Sequence, residues 1–191
     1  MLSVEFKKDI RWWLEFLDIY NGVSLIPPIN WSPTDTVLST DACLTGGGAL
    51  EHETREYMHF EFPDDILQQR LPIHMLELLT VVAAIKQWAL SLRGQRLQLL
   101  CDNTAAVLAI NSGRTKCSFT SACLRELWLV CSTNDIELRA VHIPGVDNRQ
   151  ADWLSRWHID VKFRDLFINS VDDSFLEISF DFELLKIKHL F

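Results

Sequence analysis

Features that mark secreted and zinc-binding proteins are missing from this sequence of 191 residues. The five cysteines are odd in number and form no C-x-x-C pair, so neither a disulfide framework nor a zinc knuckle is predicted. The histidines His52, His59, His74, His158 and His189 show no paired ligand spacing, which argues further against zinc. We therefore expect a reducing, intracellular setting, and the sequence does not distinguish the cytoplasm from the nucleus.

Long hydrophobic runs are also absent. The longest uncharged apolar stretch in the middle of the chain, Leu78 to Ile85, is far too short to span a bilayer. The first residues carry Glu5, Lys7 and Lys8 where a signal peptide would have its apolar segment. The sequence predicts a soluble protein without a membrane partner.

Positive charge is scarce, because the formal net charge is -8 and no dense Lys/Arg patch is present. Such a balance argues against a nucleic-acid partner, so its distribution matters. The acidic excess within residues 34–157 equals the charge of four carboxylates, Asp41, Glu77, Asp102 and Asp152. If these four groups hold divalent cations, the rest of that segment is neutral and can still bind phosphate.

What the chain does contain is 48% hydrophobic residues and seven tryptophans, enough for one core with appendages. A helix is predicted over residues 4–20, and Pro27-Pro28 and Ser32-Pro33 mark a linker after it. One helix face carries a stripe of Phe6, Ile10, Trp13, Leu17 and Tyr20. This stripe either folds back onto the core or forms a docking surface. The predicted divisions are residues 1–33, 34–157 and a C-terminal tail of uncertain structure, 158–191.

The central segment alternates strands and helices in the order β-β-β-α-β-α-α-β-α. This order predicts an α/β fold with a mixed five-stranded sheet, in which three antiparallel strands precede two further strands, and with flanking helices. Gly46-Gly47-Gly48 is expected to turn tightly and pack closely. In the tail, strict alternation from Leu176 to Leu184 predicts a half-buried strand whose packing partner is not identified. The predicted strands are Thr36–Cys43, Gly46–Glu51, Arg55–Phe62, Leu97–Cys101 and Glu137–His142; the predicted helices are Ile73 to Gly94, Thr104–Asn111, Phe119–Thr133 and Gln150–Trp157, with a Gly/basic loop at Ser112–Lys116.

Each of the four carboxylates lies in or beside an apolar run, where an unpaired charge is costly to bury. Glu77 shares a predicted helix face with apolar residues and projects toward the core, although a backbone donor or an arginine could also hold it. Asp41 and Asp102, taken singly, fit strand-end turn residues, and Asp152 fits a carboxylate near a helix N-terminus. Their joint occurrence in this β/α order favours a cation site.

This arrangement resembles the ribonuclease H domain in the segments TDAC, LELLTV, CDNTAAV and NRQADWLSR. His142, Asn148 and Asp152 also match the H-x5-N-x3-D spacing of that family. The sequence is more similar still to reverse transcriptases of DIRS-type, tyrosine-recombinase retrotransposons. The similar segments are RWWLEFLDIYNGVSLI, HIPG and AD-x-LSR. The resemblance covers residues 8–157. One departure is Gly47, because sequences of that group usually carry Trp at this position. The absence of this Trp predicts weaker packing there.

The resemblance implies a ribonuclease H-like fold and a metal-dependent endonuclease that hydrolyses the RNA strand of RNA–DNA hybrids. It implies two Mg²⁺ ions, with Mn²⁺ as a substitute, and carboxylate ligands suit these hard cations. Asp41 would bridge both ions, Asp152 would complete the nucleophile-side site, and Glu77 with Asp102 would complete the other. His142 would lie on a mobile loop and assist proton transfer or product release.

The same resemblance implies substrate recognition through the shallow minor groove and its 2′-hydroxyls. A reverse-transcriptase polymerase domain, in cis or in trans, is the expected protein partner. Two other interpretations stay open: a catalytically inactive relic that only binds nucleic acid or polymerase, and a DNA-cutting nuclease of the same superfamily. Arg114 and Lys116 fit an ordinary solvated loop equally well. The candidate substrate contacts are Asn103, Thr104, Asn111, Arg114, Lys116, Asn148 and Arg149.

Overall fold

The computed structural model describes residues 2–20, 22 and 34–187. The predicted breakers Pro27-Pro28 and Ser32-Pro33 lie outside these residues, as does His189. The helices are α1 (Val4–Leu17), α2 (Asp64–Leu67), α3 (Ile73–Gln87), α4 (Thr104–Ser112), α5 (Ser118–Thr133), α6 (Arg149–Ser155) and α7 (Val161–Ile168), with a 3₁₀ turn at Phe182–Leu185. The strands are β1 (Thr36–Ala42), β2 (Gly46–Glu51), β3 (Glu56–Glu61), β4 (Arg96–Cys101), β5 (Glu137–His142) and β6 (Leu176–Glu177).

The strands form one mixed sheet in the order β5-β4-β1-β2-β3-β6. The first three strands are an antiparallel meander, while β4 pairs parallel with β1 and β5 pairs parallel with β4. The α/β class, the meander and the two further strands are therefore confirmed. The predicted number of five strands is wrong, because β6 from the C-terminal tail adds a sixth strand parallel to β3.

Two apolar clusters lie on opposite faces of the sheet. The larger cluster joins α3, α4 and α5 to inward residues of the sheet such as Leu38 and Met58. The smaller cluster joins Leu50 and Tyr57 of the sheet to Leu154 of α6 and Phe167 of α7. Because side chains alternate along a strand, this division places α6 and α7 on the face to which Asp41 also belongs.

The helix α3 is buried on nearly all sides, from Leu76 to Ile85. Such a helix needs cover around its whole circumference, and it receives this cover from β1, β2, α5 and the 3₁₀ turn of the tail. The helix ends at Gln87 rather than near the predicted Gly94, and residues 88–94 continue as turns. The short helix α2 was not predicted.

The three consecutive glycines lie within β2, so the predicted tight turn at these positions is wrong. The predicted close packing is confirmed, because a Cβ atom on Gly48 would lie 2.4 Å from the Leu154 Cβ. A Cβ atom on Gly47 would lie 2.5 Å from the Phe60 ring and 2.6 Å from the Thr80 hydroxyl. Those side chains fill the space that a larger residue at position 47 would take.

The tail packs onto the sheet and onto α3. Phe180 stacks on Phe60 with ring centroids 4.0 Å apart, and Leu185 and Ile187 are buried in the larger cluster. The predicted strand from Leu176 to Leu184 is wrong beyond Glu177. Four residues later, the Asp181 side chain accepts a hydrogen bond from the Glu183 backbone and begins the 3₁₀ turn.

The helix α1 packs against α5 through a face that the sequence did not indicate. Trp12 and Phe16 are buried, and the Trp12 indole donates a 3.0 Å hydrogen bond to the Arg125 carbonyl. The Arg125 guanidinium also lies 2.6 Å from the Asp9 carboxylate. The predicted stripe of Phe6, Ile10, Trp13, Leu17 and Tyr20 is instead 43–59% exposed. Within the described residues, no helix combines the length and apolar character needed to cross a bilayer.

Candidate functional site

Three of the predicted carboxylates meet at one edge of the sheet. Asp41 lies near the end of β1 and Asp102 directly follows β4, and these neighbouring parallel strands end side by side. Glu77 reaches the same place from the second turn of α3. One carboxylate oxygen from each residue lies within 4.8 Å of the other two, which defines the carboxylate cluster.

Asp41 is the most buried member of the cluster, with 7% of its surface exposed. Its pKa is raised from 3.8 to about 7, mainly by burial and in smaller part by the negative charges of Asp102, Asp152 and Glu77. The Ser155 hydroxyl donates a 2.7 Å hydrogen bond to Asp41 Oδ2 and opposes this shift. A cation would favour the charged form of this carboxyl, which burial disfavours.

Glu77 is oriented by Asn103. The Asn103 amide donates to Glu77 Oε2, and its carbonyl oxygen accepts a 3.0 Å hydrogen bond from Ala106 N at the start of α4. Burial raises the pKa of Glu77, and the hydrogen bond from Asn103 acts in the opposite direction. Asn103 was predicted to contact substrate, but here its side chain is engaged inside the protein and positions a carboxylate.

Asp102 supplies the clearest indication of a missing positive partner. Its Oδ1 atom is buried and has no hydrogen-bond partner among the residues that the structure describes. A buried charged oxygen without a donor is costly unless it is protonated or bound to a cation. The adjacent Cys101 thiol has its pKa raised to about 12 by burial and stays protonated, so the available ligands are oxygens. This donor set fits Mg²⁺ or Mn²⁺.

Asp152, the fourth predicted carboxylate, lies beside the cluster without joining it. Its Oδ1 accepts a 2.7 Å charged hydrogen bond from Nε of Arg156, the residue that directly follows α6. Its charge nevertheless raises the pKa of Asp41. The Ser155 hydroxyl that contacts Asp41 also lies 2.9 Å from the Asp152 carbonyl, so α6 and β1 are joined at this point.

The helix α6 is fastened to β1 immediately before Asp41. Asn148, only 3% exposed, donates a 2.9 Å hydrogen bond from its amide to the Thr40 carbonyl. Asn148 was predicted to contact substrate, yet its burial makes it part of the framework that positions α6. Arg149, the next residue, is exposed at the start of the same helix.

The other predicted site residues are distributed around this edge. His142 is exposed and forms the last residue of β5, in register with Cys101, so the prediction that it lies on a loop is wrong. Thr104 is exposed as the first residue of α4. Arg114 and Lys116 are exposed in the loop between α4 and α5. That loop begins at the far end of α4, about 13 Å along the helix axis from Thr104.

Asn111 covers the free edge of β5. Its amide donates a 2.7 Å hydrogen bond to the Ala140 carbonyl, and its carbonyl oxygen accepts a 3.0 Å hydrogen bond from Ala140 N. Both groups of the side chain are thus occupied by a strand that has no other neighbour on this side among the described strands. The Asn111 side chain therefore caps the edge of the sheet, and its contact with substrate stays a prediction.

Ser155 and Arg156 belong to the site and were missed by the sequence reasoning. The signal that could have found them is their spacing, because residues three and four positions after Asp152 lie on the same helical face. No protein-family model matches this chain, and no curated protein is significantly similar to it in sequence.

Proposed function

We propose that this chain is a metal-dependent endonuclease that hydrolyses the RNA strand of RNA–DNA hybrids. In this proposal it has a ribonuclease H-like fold and forms part of a retrotransposon reverse transcriptase. The observation that carries the proposal is the convergence of Asp41, Glu77 and Asp102, with one buried oxygen of Asp102 that has no donor among the residues described. The β-β-β-α-β order that brings them together is the order of the family that the sequence resembles.

Asp41, Glu77 and Asp102 would hold divalent cations, and Asp152 would contribute when its ion pair with Arg156 opens. Bound Mg²⁺ or Mn²⁺ would supply an activated water and stabilise the leaving 3′-oxygen. The protein holds the ligands in place, since Ser155 fixes Asp41 and Asn103 fixes Glu77. His142, exposed at the end of β5, would exchange a proton with the departing strand.

The decisive experiment compares a labelled RNA–DNA hybrid with a DNA duplex of the same sequence, with Mg²⁺ or with EDTA. We expect RNA cleavage only in the hybrid and only with Mg²⁺, because the 2′-hydroxyls and groove shape distinguish RNA at the cutting position. An Asp102→Asn preparation purified in parallel controls for contaminating nucleases.

The rival functions give different results in the same assay. Hybrid binding without a metal-dependent product would identify the inactive, binding-only relic. Cleavage of duplex DNA at a comparable rate would identify a DNA-cutting member of the superfamily. Either result would overturn the proposal of a hybrid-specific nuclease.

A further inference from the structure

Beyond Asp152 the chain presents three exposed cations within nine residues. Arg156 ends α6, and Lys162 and Arg164 lie on α7. We call these three residues the α6–α7 basic patch. It lies at the end of, and beyond, the residues that resemble ribonuclease H, so the resemblance does not assign it a role.

Aromatic rings hold the three cations close to the surface. The Arg156 guanidinium lies 5.7 Å from the centroid of the Phe163 ring, and the Lys162 ammonium lies 4.9 Å from the same centroid. The Arg164 guanidinium lies 5.7 Å from the Trp157 ring, which stacks on His59 of β3 at 4.3 Å. Such contacts restrain the long stems while the charged ends stay in water.

Lys162 and Arg164 stay accessible to a phosphate because no tight ion pair holds them within the described residues, whereas Arg156 is paired with Asp152. Lys162 is 62% exposed and lies 3.6 Å from Asp160, and an exposed pair of this kind opens readily. Arg164 has no ion pair within the part of the chain that the structure describes. A phosphate can therefore reach Lys162 and Arg164 without displacing a buried partner.

The position of the patch relates it to the carboxylate cluster. Arg156 bonds Asp152, whose charge acts on Asp41. In the turn that follows, His158 Nε2 lies 2.8 Å from the hydroxyl oxygen of Thr45, which lies between β1 and β2. The cluster repels phosphates and the adjacent patch attracts them, so together they define one side along which a strand can approach.

We propose that the α6–α7 basic patch binds the phosphates of a nucleic-acid strand that crosses the carboxylate cluster. This inference deepens the proposed nuclease function and rests on it for the identity of the ligand. The contacts are electrostatic and independent of sequence, because exposed Lys and Arg side chains bind the backbone and release its counterions.

The test measures binding of a fluorescently labelled RNA–DNA hybrid by anisotropy across a salt series, in EDTA so that the metal centre takes no part. The variants are Lys162→Gln, Arg164→Gln and the double variant, while Arg156 stays intact because it also holds Asp152. Arg93→Gln is the matched control: Arg93 is exposed in the turn before β4. The length of β4 places it about 20 Å from the cluster.

Each patch variant should reduce the slope of log K against log salt by about 1, and the double variant by about 2, because each removes one phosphate contact. Arg93→Gln should leave the slope unchanged. The proposal that this patch binds phosphates would be overturned by an unchanged slope in the double variant, by an equal change in Arg93→Gln, or by no wild-type binding at low salt. Cleavage assays in Mg²⁺ judge the nuclease function separately, since the anisotropy result stands whether or not RNA is cut.

Discussion

At the scale of single residues, the carboxylate cluster combines burial with unmet charge. Burial raises the pKa of Asp41 to about 7, and Asp102 presents an oxygen that no described residue satisfies. Both features would be liabilities in a purely structural site, because like charges close together destabilise the folded state. They are the expected properties of ligands prepared for a cation.

Replacing Asp102 by Asn should abolish metal-dependent cleavage and leave the fold intact. The change removes one of the negative charges around Asp41, so the melting temperature in EDTA should hold or rise. The measurements are the single-turnover rate on hybrid and thermal melting in EDTA. Cleavage at the wild-type rate would remove Asp102 from the site.

The pKa of Asp41 predicts a pH-dependent loss of stability in the metal-free protein. The folded state keeps this proton up to about pH 7, whereas the unfolded chain releases it near 3.8, so the folded state binds more protons between these values. Stability from this group therefore falls as pH rises through that window and is constant above it. One pKa unit corresponds to about 1.4 kcal/mol, so the total is on the order of 4 kcal/mol.

The Asp41→Asn variant should lack the pH-dependent part of the unfolding free energy that comes from this carboxyl. The difference in unfolding free energy between the variant and the wild type, measured in EDTA from pH 4 to pH 8, should grow in favour of the variant and then level off. A difference that is flat across that range would show that Asp41 ionises at its ordinary pKa.

The sequence predicted a site of four carboxylates, of which Asp41, Glu77 and Asp102 meet and Asp152 lies beside them, but it did not show what holds them. Asp41 and Asp102 could be placed because they mark the ends of strands, and Glu77 because it interrupts an apolar helix face. Asn103 and Asn148 were assigned to substrate, since nothing local shows that their amides reach Glu77 and the Thr40 carbonyl. Those bonds join positions far apart in the chain, which depends on tertiary packing.

At the scale of elements, the site depends on how closely α6 approaches β2. Gly48→Ala would place a Cβ atom 2.4 Å from the Leu154 Cβ and 2.5 Å from the Ser155 backbone nitrogen. The helix must shift, which typically costs about 1–3 kcal/mol. Since α6 carries Ser155 and Asp152, activity should fall by more than the stability loss explains.

The control for this variant is Gly113→Ala. Gly113 has a φ of +63°, and no atom of the described residues lies within 4 Å of the added Cβ, so this variant reports backbone strain without a clash. It should lower the melting temperature and leave the activity of the folded fraction near normal. Equal activity losses in both variants would argue against positioning by α6.

The helix α1 should respond differently on its two faces. Phe16→Ala removes a ring that is 1% exposed and stacks on Trp12, and loss of a buried Phe typically costs about 3–5 kcal/mol. Trp13→Gln changes a side chain that is 48% exposed and should have little effect. Limited proteolysis should therefore release α1 in the first variant only. Release in both would place the stripe in the packed interface.

The bounds of the secondary-structure elements were easier to predict from the sequence than the contacts between those elements. The period of β5 gave its bounds as observed, and β1–β4 were placed within two residues. The alternation from Leu176 predicted the start of β6 but neither its length of two residues nor its pairing with β3, because the strand ends at a contact distant in sequence. The buried face of α1 escaped because the apolar residues are distributed around the helix, and contact with Arg125 of α5 selects Trp12 and Phe16.

At the scale of the whole molecule, the net charge of -8 limits how strongly nucleic acid can bind. We expect the isolated chain to bind hybrid weakly and with a shallow salt dependence, because few basic side chains are available for phosphate. A polymerase domain, in cis or in trans, would then supply the missing affinity. The measurement uses Ca²⁺ in place of Mg²⁺ to block turnover. Nanomolar binding at physiological salt with a steep slope would contradict this expectation.

Because the C-terminal tail covers α3, part of the apolar surface of this helix can be buried only after the tail has been synthesised. Phe180, Leu185 and Ile187 close a helix that was synthesised about one hundred residues earlier. At typical ribosomal rates the apolar surface of α3 stays open for on the order of 5 to 20 s before its last contacts exist. During that interval the nascent chain depends on chaperones, or on its own partly formed sheet, to avoid aggregation.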